Sequence, residues 1–236
     1  MHGTDRASAT AWIASKGTIG RALRLLRGSE EEESDSPEVT EAHLALFTDP
    51  PETARRQRGL TLASCQKYGV LWDQHRECWI LPIRDGDGQL LGWQEKSRRH
   101  FRNFPDGVAK GTTLFGGHIG TTPTLVMVES PLDTVRMDSV GIEGGRATYG
   151  VHVTPEQIRQ AMNTSSCIIL AQDNDRPGRK ARAKLYRTYR CRGTRLLYWD
   201  YSECTAKDPG EMNAFELYDA YDAAYSPLTR RLTLRQ

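Results

Sequence analysis

The chain has 236 residues, 32 Lys and Arg against 30 Asp and Glu, and an apolar fraction of 38%. That length and apolar content support one large domain or two small ones, and the near-balanced charge gives no global pull toward nucleic acid, so any such reading has to come from clustering. There is no long apolar run to cross a membrane, no N-terminal secretory signal, and five scattered cysteines (Cys65, Cys78, Cys167, Cys191, Cys204) with no Cys-x-x-Cys pair. Reduced thiols in a cytosol are expected rather than a disulfide framework, and a zinc ribbon built by this chain alone is not expected because adjacent ligand pairs are missing.

In chain order, Ile19 to Leu26 has helical spacing, and the acidic break Glu30 to Glu33 with Ser34-Asp35-Ser36-Pro37 reads as a solvated linker, the alternative being an acidic mimic that guards a nucleic-acid groove. Residues 1–38 are therefore expected to be an N-terminal extension and acidic linker. Helices are expected over Val39 to Phe47, Glu52 to Arg58 (stopped by Gly59) and Leu62 to Tyr68 (capped by Thr61, stopped by Gly69). Cys78 to Ile83 and Leu90 to Glu95 flank the turn Asp85-Gly86-Asp87-Gly88 and read as a hairpin, the start of a meander. A basic run follows, Lys96, Arg98, Arg99, His100 and Arg102, interleaved with Phe101 and Phe104, with Lys110 just beyond. It reads either as a solvated surface or as a phosphate track with aromatic platforms for single-stranded nucleic acid.

From Thr124 the pattern changes to alternating strands and helices. Strands are expected at Leu125 to Val128, Ala147 to Tyr149, Cys167 to Ala171 and Arg195 to Trp199. Helices are expected at Pro131 to Val140, Thr154 (N-cap) to Met162, Pro177 to Tyr189 and Met212 to Tyr225. Unbroken apolar strands separated by helices give a small doubly wound parallel sheet, and ligands bind at the carboxyl ends of such strands.

Acidic residues stand at those ends. Glu129 follows the first strand, with Asp133 one helical turn further on the same face; Asp173 and Asp175 follow the third strand, and Asp208 the fourth. Carboxylates packed together repel, and a divalent cation removes that penalty. Oxygen ligands without His or Cys select Mg²⁺ or Mn²⁺, ions that serve phosphoryl transfer. Alone, an Asp-x-Asp in a loop or an Asp-Pro is an ordinary turn. The information lies in the order: strand-Glu, strand-Asp-x-Asp-x-x-Gly, strand-Lys-Asp.

This ordered set resembles a TOPRIM domain. Glu129-Ser130-Pro131-Leu132-Asp133 resembles the Glu-Gly-x-x-Asp motif of DnaG-type primases, with Ser130 in place of Gly. Thr154-Pro155-Glu156-Gln157, Asp173 to Ala181 and Lys207-Asp208-Pro209-Gly210-Glu211 are similar to further primase motifs, and Gly210 stands where some members carry a second Asp, with Glu211 a weak substitute. Upstream, Arg58 to Gly69, Ile80 to Arg84, Leu91-Gly92-Trp93 and Lys110 to Gly116 look like the smaller N-terminal subdomain of the primase core.

The resemblance implies a TOPRIM doubly wound parallel sheet over residues 121–226, a smaller mixed α+β N-terminal subdomain over 39–120, and a tail over 227–236. It implies a DNA primase catalytic core, of the phage-encoded type, that makes short RNA primers on single-stranded DNA by two-metal nucleotidyl transfer with Mg²⁺ or Mn²⁺. Glu129, Asp173 and Asp175 would be catalytic, with Glu129 acting near the metals as proton acceptor; Glu129, Asp133, Asp173, Asp175 and Asp208 would form the metal set, Asp133 in support. Arg176, Arg179 and Lys180 would hold nucleotide phosphates, and Lys96, Arg98, Arg99 and Lys110 the template. The implied partners are single-stranded DNA, NTPs, a replicative helicase and a separate zinc-ribbon polypeptide, in the cytoplasm of a bacterium or of a phage's bacterial host. The alternatives are a TOPRIM nuclease with the same carboxylates and a non-catalytic nucleic-acid-binding TOPRIM module.

Overall fold

Two four-stranded sheets organise the protein, one antiparallel and one parallel. A computed structural model describes residues 39–228, all within one compact unit that begins at Glu38. The helix expected over 19–26 and the acidic linker lie outside the described residues.

The antiparallel sheet has strands β1 (Leu71–Asp73), β2 (Cys78–Arg84), β3 (Leu90–Lys96) and β4 (Phe101–Phe104) in the order β1-β2-β3-β4. The Asp85 to Gly88 turn sets the β2–β3 hairpin: Asp85 Oδ1 accepts from the amides of Asp87 and Gln89, and Gly88 has φ +87°. The two outer strands are absent from the sequence reading. β1 is too short to show alternation, and β4 is hidden in the basic run. There Ser97 N–H bonds the His100 carbonyl (2.8 Å), so Arg98 and Arg99 occupy the turn between β3 and β4. Among the described residues three helices precede the sheet: α1 (Glu41–Leu44), α2 (Glu52–Gln57) and α3 (Leu62–Lys67). α1 is shorter than the expected 39–47 helix, because the chain turns extended at Thr48 to pair with Trp72.

The parallel sheet has β5 (Thr124–Val128), β6 (Gly145–Ala147), β7 (Cys167–Leu170) and β8 (Arg195–Tyr198) in the order β6-β5-β7-β8. The strand expected to reach Tyr149 stops at Ala147. Tyr149 takes a left-handed conformation (φ +60°) while its hydroxyl donates to the Pro82 carbonyl at 3.0 Å. The helices are α4 (Pro131–Ser139), α5 (Pro155–Thr164), α6 (Arg176–Tyr189) and α7 (Ala214–Asp222).

Alternate residues of β5 and β7 enter different cores, as the two-residue period requires. Val126, Val128 and Ile169 pack with Leu132 and Val135 of α4 and Leu217 of α7. Leu125, Met127, Ile168 and Leu170 pack with Ile158 of α5 and Leu185 of α6. Two helices therefore cover each face, which is the doubly wound arrangement. The first core continues into the antiparallel sheet through Trp79, Leu81, Ile83 and Phe115. Burying each of these large apolar side chains contributes about 1.5–3 kcal/mol.

The junction between the sheets is also hydrogen-bonded. Gln157, fully buried in the first turn of α5, donates through Nε2 to the carbonyls of Lys110 (3.1 Å), Thr113 (2.8 Å) and Thr148 (3.1 Å). Thr154, the α5 N-cap, also donates to the Gly111 carbonyl at 2.6 Å. The capping pair read from the sequence thus fixes the segment that carries Lys110.

Candidate metal centre and nucleic-acid cleft

Each carboxylate of the site is placed by a strand end or a helix start. β5 ends at Val128, Glu129 follows, and Pro131 opens α4, whose first turn carries Asp133. Asp173 lies just past β7, and Asp175 N-caps α6 by accepting from the Gly178 amide at 2.9 Å. Gly178 is needed here, since a Cβ would lie 2.2 Å from the Asp173 carbonyl oxygen. Asp208 caps a single 3₁₀ turn, Pro209–Glu211, accepting from the Glu211 amide at 3.0 Å, while Glu211 Oε2 accepts from the Lys207 amide at 2.9 Å. The Asn174 amide donates to the Lys207 carbonyl at 2.6 Å, which joins the Asp173 and Asp208 loops.

The result is a convergence of Asp133, Asp173 and Asp208, with one carboxylate oxygen from each lying within 4.8 Å of the others. Glu129 adjoins the group: its Oε1 accepts from the Asp173 amide at 3.2 Å. Asp133 is 3% exposed, and its Oδ2 has no hydrogen-bond partner. A buried, unpartnered carboxylate oxygen beside two further carboxylates is unfavourable without a cation. Lys207 Nζ, 3.3 Å from Asp173 Oδ2, supplies part of the balance.

The electrostatics agree. Burial, then the charge of Asp173, pushes Glu129 up to about 7. Burial and the Asp208 charge push Asp133 well above the usual carboxylate range, and burial with Asp208 raises Asp173. Asp208 is raised by burial and by Glu211. All four groups bind protons more readily than free carboxylates, first through burial and then through the neighbouring acids, and a donor set made only of oxygens fits a hard divalent cation.

The sequence reading places Asp133 in a supporting role, whereas it is the most buried member of the cluster. Asp175 stands outside the cluster of three, with one oxygen engaged as a helix cap. Gly210, where some primases carry an Asp, packs so tightly that a Cβ would lie 2.5 Å from Asp133 Oδ1. A side chain at position 210 would displace the Asp133 carboxylate.

The comparisons bear on this arrangement. A family model described as Toprim-like matches residues 126–213, the span that holds every one of these carboxylates. The DNA primase of Halalkalibacterium halodurans is 27% identical over 194 residues, covering 72% of this chain and 31% of that protein. The DNA primase of Escherichia coli K12 is 26% identical over 194 residues, covering 76% and 33%. The chain thus spans about a third of the length of these relatives. Among solved structures, a DnaG primase catalytic domain bound to ssDNA superposes with a TM-score of 0.66 at 17% identity, over 79% of this chain and 77% of that one. The primase fragment of the bacteriophage T7 primase-helicase protein gives 0.61 at 18% identity, over 75% and 74%.

The chain has the fold of the DnaG primase catalytic core, with a Toprim-like region at residues 126–213.

Within this fold the basic residues separate into four settings. Lys96 ends β3 and donates to Ser130 Oγ at 3.1 Å, so it stands beside the carboxylates and lowers the proton affinity of Asp133 and Asp208. Arg98 and Arg99 line a cleft of about 1160 Å³, together with Arg58, Trp72 and Trp79, that reaches Gly210 and Glu211 at the metal turn. Lys110 lies apart from that lining. Its Nζ donates to the Tyr149 carbonyl at 3.3 Å and sits 5.7 Å from the centre of the Phe101 ring. Arg176, Arg179 and Lys180 are exposed in the first turns of α6, and Arg179 bonds back to the Asn174 carbonyl.

The two aromatic residues of β4 differ. Phe101 is 60% exposed, while Phe104 stacks on Trp93 with ring centres 4.3 Å apart. Two basic residues, one at the site and one buried behind it in α6, lack an assignment from sequence reasoning. Lys207 faces Asp173, and its place directly before Asp208 was the available signal. Arg182 is buried against Trp199, donating to its carbonyl at 3.3 Å. In sequence it is indistinguishable from the exposed basic residues around it on α6.

Proposed function

We propose that this chain is the catalytic core of a DNA primase, making short RNA primers on single-stranded DNA. The observation that carries the reading is the buried, unpartnered Asp133 oxygen converging with Asp173 and Asp208 at the carboxyl ends of parallel strands. The same corner opens onto a cleft lined by arginines, where a polyanion would lie. In the reaction a primer 3′-hydroxyl forms a new O–P bond at an NTP α-phosphorus, and the bond to pyrophosphate breaks.

Asp133, Asp173 and Asp208 would hold Mg²⁺ or Mn²⁺, with Glu129 adjoining and Asp175 offering the carboxylate oxygen that its cap leaves free. Such ions, when bound, supply positive charge to the attacking and leaving oxygens. Glu129, whose pKa is raised to about 7 by burial and then by Asp173, would accept the 3′-hydroxyl proton. Arg176, Arg179 and Lys180 would meet nucleotide phosphates at the exposed start of α6. Lys96, Arg98, Arg99 and Lys110 would follow the template, Lys96 nearest the chemistry.

The division into an N-terminal subdomain (39–120) and a TOPRIM domain (121–226) belongs to this reading. So do a helicase partner, a separate zinc-ribbon polypeptide that selects the start site, a phage origin and a bacterial cytoplasm as the place of action. The T7 neighbour, a fragment of a primase-helicase protein, supports the helicase partner.

The test is incubation of the protein with single-stranded DNA, labelled NTPs and Mg²⁺ or Mn²⁺, comparing wild type with Asp173→Ala. Template-dependent short RNA that vanishes in the variant supports the proposal. Cleaved template without synthesis would instead indicate a nuclease, and DNA binding with neither activity a non-catalytic module.

A further inference from the structure

Arg136 lies on α4, three residues beyond Asp133, and its half-buried guanidinium points at backbone instead of at an acid. Nε and Nη2 donate to the Met212 carbonyl (3.4 and 3.1 Å), and Nη1 donates to the Gly59 carbonyl (2.9 Å). Met212 directly follows the 3₁₀ turn that presents Asp208 and is itself 2% exposed. Gly59 lies just past α2, the helix whose Ala54 and Gln57, with the following Arg58, wall the arginine cleft. The approach at Gly59 is tight: a Cβ there would lie 2.6 Å from Arg136 Nη1, in a backbone conformation (φ +63°) that side chains resist. Burial alone lowers the Arg136 pKa, which fits a cation held by carbonyl dipoles without a carboxylate.

We infer that Arg136 is a positioning residue that ties the Asp208 turn and the end of the cleft helix to the helix presenting Asp133. Two features make this more than a packing contact. A guanidinium carries five donors fixed in one plane, so it can hold two carbonyls from different segments at a set spacing. The turn it holds also has no slack, because Gly210 backs directly onto the Asp133 carboxylate. A shift of a few tenths of an ångström in that turn changes the Asp133–Asp208 spacing. The holding of the turn is a property of the folded chain; its consequence for metal affinity rests on the metal site proposed above.

The experiment uses the whole chain as Arg136→Met and Arg136→Lys beside wild type, with two readouts. The first is amide hydrogen exchange of residues 207–213 without metal, against β7 as an internal control. The second is Mn²⁺ affinity, measured from the electron paramagnetic resonance signal of the free ion. Loss of donors to two carbonyls is expected to speed exchange in 207–213 by about tenfold in the Met variant with β7 unchanged, and to weaken Mn²⁺ by about tenfold. Lys, which reaches one carbonyl at a time, is expected to fall between, and it keeps the test open if the Met variant does not fold. Millimolar guanidinium ion is expected to restore part of the Mn²⁺ affinity of the Met variant, which a general packing defect would not permit. Wild-type exchange in 207–213 in both variants would overturn the inference. Failure of the wild type itself to bind Mn²⁺ would overturn the metal reading and leave the exchange result to decide the role of Arg136.

Discussion

In the parallel sheet, charge reaches the site from three separate strand ends, on loops fixed by caps and by each other. In the antiparallel sheet it comes mainly from one turn, Ser97 to His100, and reaches into solvent. Asp133 is 3% exposed, and the Asp173 and Asp208 loops are joined through Asn174 and Lys207. Arg98 and Arg99 are exposed along a wide cleft. The difference teaches what each half is suited to do. Rigid carboxylates of like charge store an unfavourable electrostatic term that a cation of the right size relieves. Exposed arginines with freedom to move suit a polyanion whose bases vary while its phosphates repeat.

The largest effects are expected from the acidic half. Asp173→Ala should reduce labelled RNA synthesis on single-stranded DNA on the order of 10³-fold, since it removes a member of the proposed metal set. Asp133→Asn should lose Mn²⁺ binding by titration and yet unfold at a higher temperature than wild type when metal is absent, because it removes a buried carboxyl that costs free energy whether it ionises without a partner or takes up a proton. A lower unfolding temperature for Asp133→Asn without metal would break the comparison.

The pH dependence has a definite sign. Glu129 has its pKa raised from 4.5 to about 7, and Asp133, Asp173 and Asp208 are raised as well. With a folded pKa above the unfolded one, the native state binds more protons, so stability falls as pH rises through that window. Metal-free protein should therefore lose thermal stability between about pH 4.5 and 7 from Glu129, and the three raised aspartates should add losses that begin near their ordinary value of 3.8. The stabilisation produced by Mn²⁺ should grow over the same range, as the ion displaces protons. Differential scanning fluorimetry with and without Mn²⁺ measures both.

Smaller effects belong to the basic half. Arg98→Ala and Arg99→Ala should each weaken single-stranded DNA binding a few-fold and reduce the slope of log affinity against log salt by about 0.7, one phosphate contact apiece. Lys96→Ala should cost more in synthesis than in DNA binding, because Lys96 bonds Ser130 beside the carboxylates. The smallest contrast lies within β4. Phe104→Ala removes a ring stacked on Trp93 and should destabilise the fold by about 2–4 kcal/mol, while Phe101→Ala should stay within about 0.5 kcal/mol and lower only DNA affinity. Chemical denaturation beside a DNA titration separates the two.

The same division governs how much could be read from the sequence. The parallel sheet was legible because unbroken apolar runs, helix caps and carboxylates recur in fixed order. The strands at 124–128 and 167–170 and the cap at Thr154 follow from local rules. Side-chain direction was not legible. Nothing in the spacing of Glu129 and Asp133 distinguishes a supporting acid from the most buried of the group, and an Asp-x-Asp motif does not reveal that its second member caps a helix. The basic meander was harder still. Composition hides β4 inside a run of arginines, and the separation of Lys96, Arg98 and Lys110 into different settings depends on a turn, a neighbouring hydroxyl and a helix from another part of the chain. Arg136 left no signal at all, since a lone arginine on a helix is usually a solvated one.

The central claim is that Asp133, Asp173 and Asp208 hold a divalent cation for primer synthesis. Its most direct test is labelled RNA synthesis on single-stranded DNA as a function of Mn²⁺ concentration, for wild type and Asp133→Asn. Template-dependent RNA should rise and saturate with Mn²⁺ for the wild type, and none should form at any concentration for the variant. Equal synthesis by both proteins, with the same Mn²⁺ dependence, would contradict that claim.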